Sequence, residues 1–267
     1  MFSRTLLASA AATALLAFGT QAATLPSDWS VVGNAGTGSP NGVVTAPSAT
    51  ESGYYYVSTS GAPSDGGSLP GIGGQGFPTN GSTVTTGTFA AAAGETLEFL
   101  FNYVTSDGAG FADYGWARLL TETGDQVALL FTARTTPGGN SVPGFSMPEP
   151  EATLSPATVT IVPGGPVWDA LGDSSGACYA TGCGYTGWVQ STYSIGTAGS
   201  YKLQFGVTNW NDQIFHSGMA FAGAKIGNVV ITPPVDPSPV PLPASALLLG
   251  AGVGAMGVLR RRQKAKA

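Results

Sequence analysis

Charge is scarce in this chain: only 9% of its 267 residues are Asp, Glu, Lys or Arg, and His216 is the one histidine. Any nucleophile that relies on an imidazole therefore has a single candidate partner. Cysteine is nearly as rare, with Cys178 and Cys183 alone, too few for a thiolate metal centre. Basic residues are missing where a nucleic-acid surface would need them. Between residues 24 and 239, Arg118, Arg134, Lys202 and Lys225 stand against fifteen acids, a formal charge of −11. Nucleic acid and anionic lipid are repelled by such a surface, whereas a solvated extracellular face and divalent cations suit it. Strong helix formers are also few beside 40 glycines and 19 prolines, which argues against a helical domain.

Long uncharged runs occur only at the two ends. Arg4 precedes the apolar stretch Leu6 to Phe18, and small residues follow at Thr20-Gln-Ala-Ala23, the pattern of a signal peptide cut by signal peptidase. Ala244 to Leu259 is uncharged, and as a helix it would reach about 24 Å, close to the ~30 Å hydrocarbon core. Leu242 and snorkelling arginines extend it. Arg260, Arg261 and Arg262, with Lys264 and Lys266, predict a cytoplasmic C-terminus. The expected layout is a signal peptide at 1–23, an exported domain at 24–231, a stiff Pro-rich spacer at 232–239 and a tail at 240–267 with its span at 244–259. The exported length is enough for one sizeable core.

Within that domain the apolar residues alternate with period two between turn residues. Trp29 to Val32, Tyr54 to Val57, Thr83 to Phe89 and Thr96 to Val104 read as strands. Thr96 to Val104 places Leu97, Phe99, Phe101 and Tyr103 on one face. Tyr114–Leu120 and Gln126–Thr132 read as a hairpin about Thr123-Gly-Asp125. Trp188–Ile195 and Tyr201–Thr208 read as a second pair about Gly196-Thr-Ala-Gly199, with Tyr201, Leu203, Phe205 and Val207 inward. Met219 to Ile231 closes the set, and 135–166 reads as a long Pro-rich excursion. Many antiparallel strands with one apolar face each predict an all-β, two-sheet sandwich, jelly-roll or lectin-like in topology.

Four local patterns bear on chemistry. Cys178 and Cys183, exported to an oxidising compartment, predict a small-loop disulfide. Asp107 and Asp113 flank glycines directly after the clearest strand, and Asp212 follows another, so the three are a candidate Ca²⁺ set; no other cofactor is implied. Tyr55, Trp116 and Trp210, among many aromatics and few charges, are candidate platforms for a sugar. Gly172-Asp-Ser-Ser-Gly176 matches a nucleophile-elbow spacing and allows a Ser174–His216–Asp212 arrangement on paper. The segment after it cannot make the helix such an elbow requires, so no catalytic residue is assigned. A Gly-x-Gly-x-x-Gly spacing at Gly252–Gly257 lies inside the apolar tail and carries no nucleotide reading.

The tail Val240-Pro241-Leu242-Pro243-Ala244, followed by an apolar run and an Arg cluster, resembles the PEP-CTERM class of sorting signals in its VPLPA variant. That resemblance implies a substrate of an exosortase-type transpeptidase in a Gram-negative bacterium. The precursor would be anchored in the inner membrane and then passed to the cell surface or to exopolysaccharide. The exported part, at 102–108, 113–119, 178–188 and 205–226, also resembles ectodomains that carry this tail; this implies a lectin-like sandwich and no particular activity. Taken together, the expectation is a non-catalytic surface or matrix protein. A module that binds exopolysaccharide or surface glycans is the first alternative, and a secreted hydrolase the second.

Overall fold

A computed structural model of the chain describes residues 24–64 and 66–235. The expected signal peptide and the expected sorting tail, with its motif, span and basic end, fall outside the described residues. Among the described residues no helix is long and apolar enough to cross a membrane.

The chain forms strands β1 (Ser30–Val32), β2 (Asn34–Gly38), β3 (Tyr54–Ser58), β4 (Pro78–Thr85), β5 (Phe89–Ala91), β6 (Thr96–Thr105), β7 (Tyr114–Thr121), β8 (Gln126–Arg134), β9 (Asn140–Val142), β10 (Thr153–Ser155), β11 (Val159–Thr160), β12 (Val162–Pro163), β13 (Gly184–Tyr185), β14 (Val189–Ser194), β15 (Gly199–Trp210), β16 (Ser217–Ile226) and β17 (Val229–Val230). A 3₁₀ turn at Asp169–Ser174 interrupts them. All the pairings are antiparallel. One sheet runs β1-β4-β15-β7-β8, with β5 beside β15. The other runs β10-β14-β6-β16-β3-β2, with β13 beside β6, β12 beside β13 and β17 on β16.

The two sheets pack face to face as a sandwich, because each long strand carries one apolar row. Leu97, Phe99, Phe101 and Tyr103 of β6 meet Tyr201, Leu203, Phe205 and Val207 of β15 in a single core, as the alternation predicts. Phe101 stacks on Phe131 and Phe205 on Phe221, each with ring centroids 3.8 Å apart. The outer faces are covered as well. Trp168 of the 3₁₀ segment covers Tyr54 and Val104, and its indole N–H donates to the Tyr54 hydroxyl at 2.9 Å. On the other side Leu69 and Met147 cover Tyr114, Trp116 and Trp210.

The β7–β8 hairpin forms as expected. The expected β14–β15 pair does not: β14 pairs β6 and β10, while β15 pairs β4, β5 and β7. The segment at 196–198 carries the chain from one sheet to the other. Alternation says which face of a strand turns inward and nothing about its neighbour. The expected strand at 83–89 is divided, since the Thr86 hydroxyl accepts the Leu203 N–H and the chain restarts at β5. Residues 232–235, expected as the start of the spacer, pack on the domain: the Thr232 hydroxyl accepts the Ala224 N–H, the Pro233 carbonyl accepts from Tyr55, and Val235 is buried. Short strands β9 to β12 run through the Pro-rich excursion.

Candidate functional site

One end of the inter-sheet core is polar, and its residues come from strand positions that would otherwise continue the apolar rows. On β6 the inward row runs from Tyr103 to Thr105, and Asp107 lies two residues beyond the strand's end, with its N–H on the Thr105 hydroxyl. On β16 it runs from Phe221 and Met219 to Ser217, and Thr105 stands opposite Ser217 in the ladder. On β15, Thr208 and Trp210 face outward, so Asn209 follows Val207 inward. The β15–β7 register ends at the pair Thr208–Tyr114, so Asn209 and Asp113 are the residues next beyond it. The Trp210 N–H donates to Asp113 Oδ1 at 2.7 Å, and the Ser217 hydroxyl donates across the gap to Asp113 Oδ2 at 2.7 Å. Thr105 accepts from the Asp107 N–H at 3.1 Å and lies 3.0 Å from the Thr135 hydroxyl.

Asp107, Asp113 and Asn209 are each at most 1% exposed. Asp107 Oδ1 accepts the Gly108 N–H at 2.7 Å, whereas its Oδ2 has no hydrogen-bond partner. Neither atom of the Asn209 amide has one. Burial pushes the Asp107 carboxyl up to about 7, against the Gly108 N–H and with help from the Asp212 charge. Burial, and then the neighbouring Asp107, raise Asp113 further, and the Ser217 and Trp210 donors only partly offset this. Asp212 stays at the rim, where its Oδ1 accepts the Ile214 N–H. The expected trio is thus Asp107 and Asp113 inside with Asp212 outside, and Asn209 is the residue that sequence reading missed. Its signal was its place two residues beyond Val207 in an inward row.

The loop closed by the Cys178–Cys183 disulfide seals this end. The two Cα atoms are 5.6 Å apart. The Tyr179 N–H donates to the Ser106 carbonyl and the Ala109 N–H to the Thr181 carbonyl, both at 2.9 Å. Gly108 is required there, because a Cβ would collide with the Ala180 carbonyl.

Beside the polar end lies an open cleft of about 510 Å³, lined by Gly74 to Gly76, Gly108, Gly110, Ala112, Arg134, Thr135, Pro137, Phe145, Trp210 and Asn211. Arg134 forms its inner wall and is 1% exposed. Its Nε donates to the Ala112 carbonyl at 2.9 Å, and its Nη1 donates to those of Gly73 and Phe145 at 2.8 and 3.2 Å. The guanidinium sits 4.7 Å from the Trp210 ring centre and 4.8 Å from that of Phe145. No carboxylate forms an ion pair with it among the described residues. Phe145 is 43% exposed and stands at the lip.

The candidate sugar platforms need correction. Tyr55 is buried in the inter-sheet core, stacked on Phe221, and Trp116 is buried under the covering loops, so neither offers a ring face. Trp210 is 3% exposed and reaches the cleft only at its wall, held by its indole N–H on the Gln75 carbonyl at 2.8 Å. Ser174 does meet His216, but its hydroxyl accepts the backbone N–H at 3.1 Å, while the imidazole Nδ1 lies 3.4 Å from the Thr59 hydroxyl. Burial lowers the His216 pKa.

No protein-family model matches the chain, and no curated protein is similar to it. The enzymatically active domain of tailspike protein 4 from bacteriophage CBA120 is similar over 77% of this chain at 12% identity and a TM-score of 0.33. The chain spans only 20% of that protein's length. The K1 cleaved adhesin domain of Lys-gingipain from Porphyromonas gingivalis W83 is similar over 76% of this chain and 93% of that one, at 13% identity and a TM-score of 0.35. Likenesses this distant carry no weight for what the chain does.

Proposed function

We propose that this is an exported surface or matrix protein whose sandwich binds a neutral polysaccharide in the cleft walled by Arg134 and Trp210. The observation that carries the reading is the cleft itself. An exposed Phe145 ring at its lip offers a face for sugar C–H groups, and glycine-rich loops leave backbone groups within reach of hydroxyls. The guanidinium behind the ring keeps the loops in place. The formal charge of −11 on the exported part favours a neutral chain over an acidic one. The strand order supports a jelly-roll topology. Of the eight principal strands, β3, β4, β6, β7, β8, β14, β15 and β16, the first, eighth, third and sixth adjoin in one sheet, and the second, seventh, fourth and fifth in the other.

Retention in native gels cast with neutral polysaccharides tests the binding. The wild-type protein should be slowed by at least one of them, and Phe145→Ala should run at its free mobility. Equal retention of both proteins would remove the cleft from the account. Delivery rests on the tail: the VPLPA-like motif, the short span and the Arg cluster occur in the order of an exosortase substrate. Deleting residues 240–244 should leave an uncut, membrane-held form, and unchanged processing would count against this role.

A further inference from the structure

We propose that the polar end of the sandwich, between Asp107, Asp113 and Asn209, is a Ca²⁺ site. Two carboxylates are shut between the sheets there, and the single ion pair among the described residues, Lys225 to Glu98, involves neither. Two carboxyl groups buried side by side are held ionised together only where a cation compensates them, and hydrogen bonds alone do not do so. The two oxygens of Asp113 and Oδ1 of Asp107 have donors, which leaves Asp107 Oδ2 bare. The Asn209 amide provides a second and independent indication. It is fully buried and unpartnered at both atoms, the strand alternation turns it inward, and Asp113 accepts the N–H of the next residue, Trp210. Buried amides are almost always satisfied, and its Oδ1 is an oxygen of the kind Ca²⁺ takes.

The chemistry of the surrounding atoms selects the ion. Carboxylate, amide and hydroxyl oxygens gather there, from Asp107, Asp113, Asn209, Thr105 and Ser217, with no sulfur or imidazole among them; the His216 ring is turned to Thr59. Hard oxygen donors exclude a preference for zinc. Ca²⁺ accepts irregular shells of six to eight oxygens and can complete them with water, whereas Mg²⁺ demands a near-octahedral shell. No three of His, Cys, Asp and Glu among the described residues are grouped to share a metal, so the amide and the hydroxyls are essential to this set. The disulfide loop closes over Asp107, and Gly108 and Trp210 also line the cleft, so the ion would brace the cleft wall from behind. The site does not depend on glycan binding, and either can fail without the other.

Metal analysis and calorimetry of the purified protein test the proposal. After EDTA treatment and desalting, Ca²⁺ should bind at one ion per chain and raise the unfolding temperature, with Mg²⁺ at least about 10-fold weaker. Asp107→Asn keeps the shape and removes one charged ligand. It should weaken Ca²⁺ binding by more than about 100-fold, beyond the 10–100-fold typical of outer-shell partners. In EDTA the same variant should melt no lower than wild type, since it removes one of two mutually repelling buried carboxyl groups. Wild-type protein that binds no Ca²⁺ and melts identically in Ca²⁺ and EDTA would overturn the proposal, as would Asp107→Asn with undiminished affinity.

Discussion

Replacing Arg134 by Met should separate the cleft loops from the sandwich. The three carbonyls that the guanidinium ties, at Gly73, Ala112 and Phe145, belong to three different loops. Met retains apolar bulk against Trp210 and Phe145 but donates to none of them. Hydrogen bonds to a charged group contribute about 1.5–3 kcal/mol each. The freed carbonyls border an open cleft and regain water, so the net loss is set at about 3 kcal/mol, below the sum of three such bonds. Against a total stability of roughly 5–15 kcal/mol this is large. At about 2–4 °C per kcal/mol for a domain of this size, the melting temperature should fall by roughly 6–12 °C. Urea unfolding should show the same loss as a lower midpoint with an unchanged slope. Arg134→Lys should recover only part of it, because an ammonium cannot reach three carbonyls in a fork. A loss below about 1 kcal/mol for Arg134→Met would refute the view that this side chain holds the cleft together.

Two further substitutions follow from close packing. Gly108→Ala should cost about 1–3 kcal/mol in urea unfolding, because its methyl meets the Ala180 carbonyl of the disulfide loop. Phe101→Ala, which removes the ring stacked on Phe131 at 3.8 Å, should cost about 3–5 kcal/mol, and a value under 1 would mean that the inner face is looser than the contacts indicate.

The inward rows of β6 and β15 were legible in the sequence because a half-buried strand writes its burial with period two. The disulfide was legible from two cysteines in a chain expected to be exported. The partner of each strand was not: β14 and β15 are consecutive, both alternate, and a glycine-rich link joins them, yet they lie in different sheets. Turn residues mark where a chain reverses, and the meeting of two inner faces decides which strands pair. The same limit governed the site. Asp107 and Asp113 stood out as acids beside glycines, whereas Asn209 looks like any loop amide until the fold buries it just beyond the last β15–β7 pair, Thr208–Tyr114. Tyr55 and Trp116 looked like sugar platforms because composition cannot show which aromatic rings lie beneath a second layer.

The central claim is that the Phe145 cleft holds a glycan, and backbone amide chemical shifts during titration with a neutral oligosaccharide test it most directly. Shifts should concentrate at Gly74, Gly76, Gly110, Phe145 and Asn211, and Phe145→Ala should abolish them while leaving the rest of the spectrum in place. Shifts confined to the opposite face around Tyr56 and Ala170, or shifts that persist in Phe145→Ala, would contradict it.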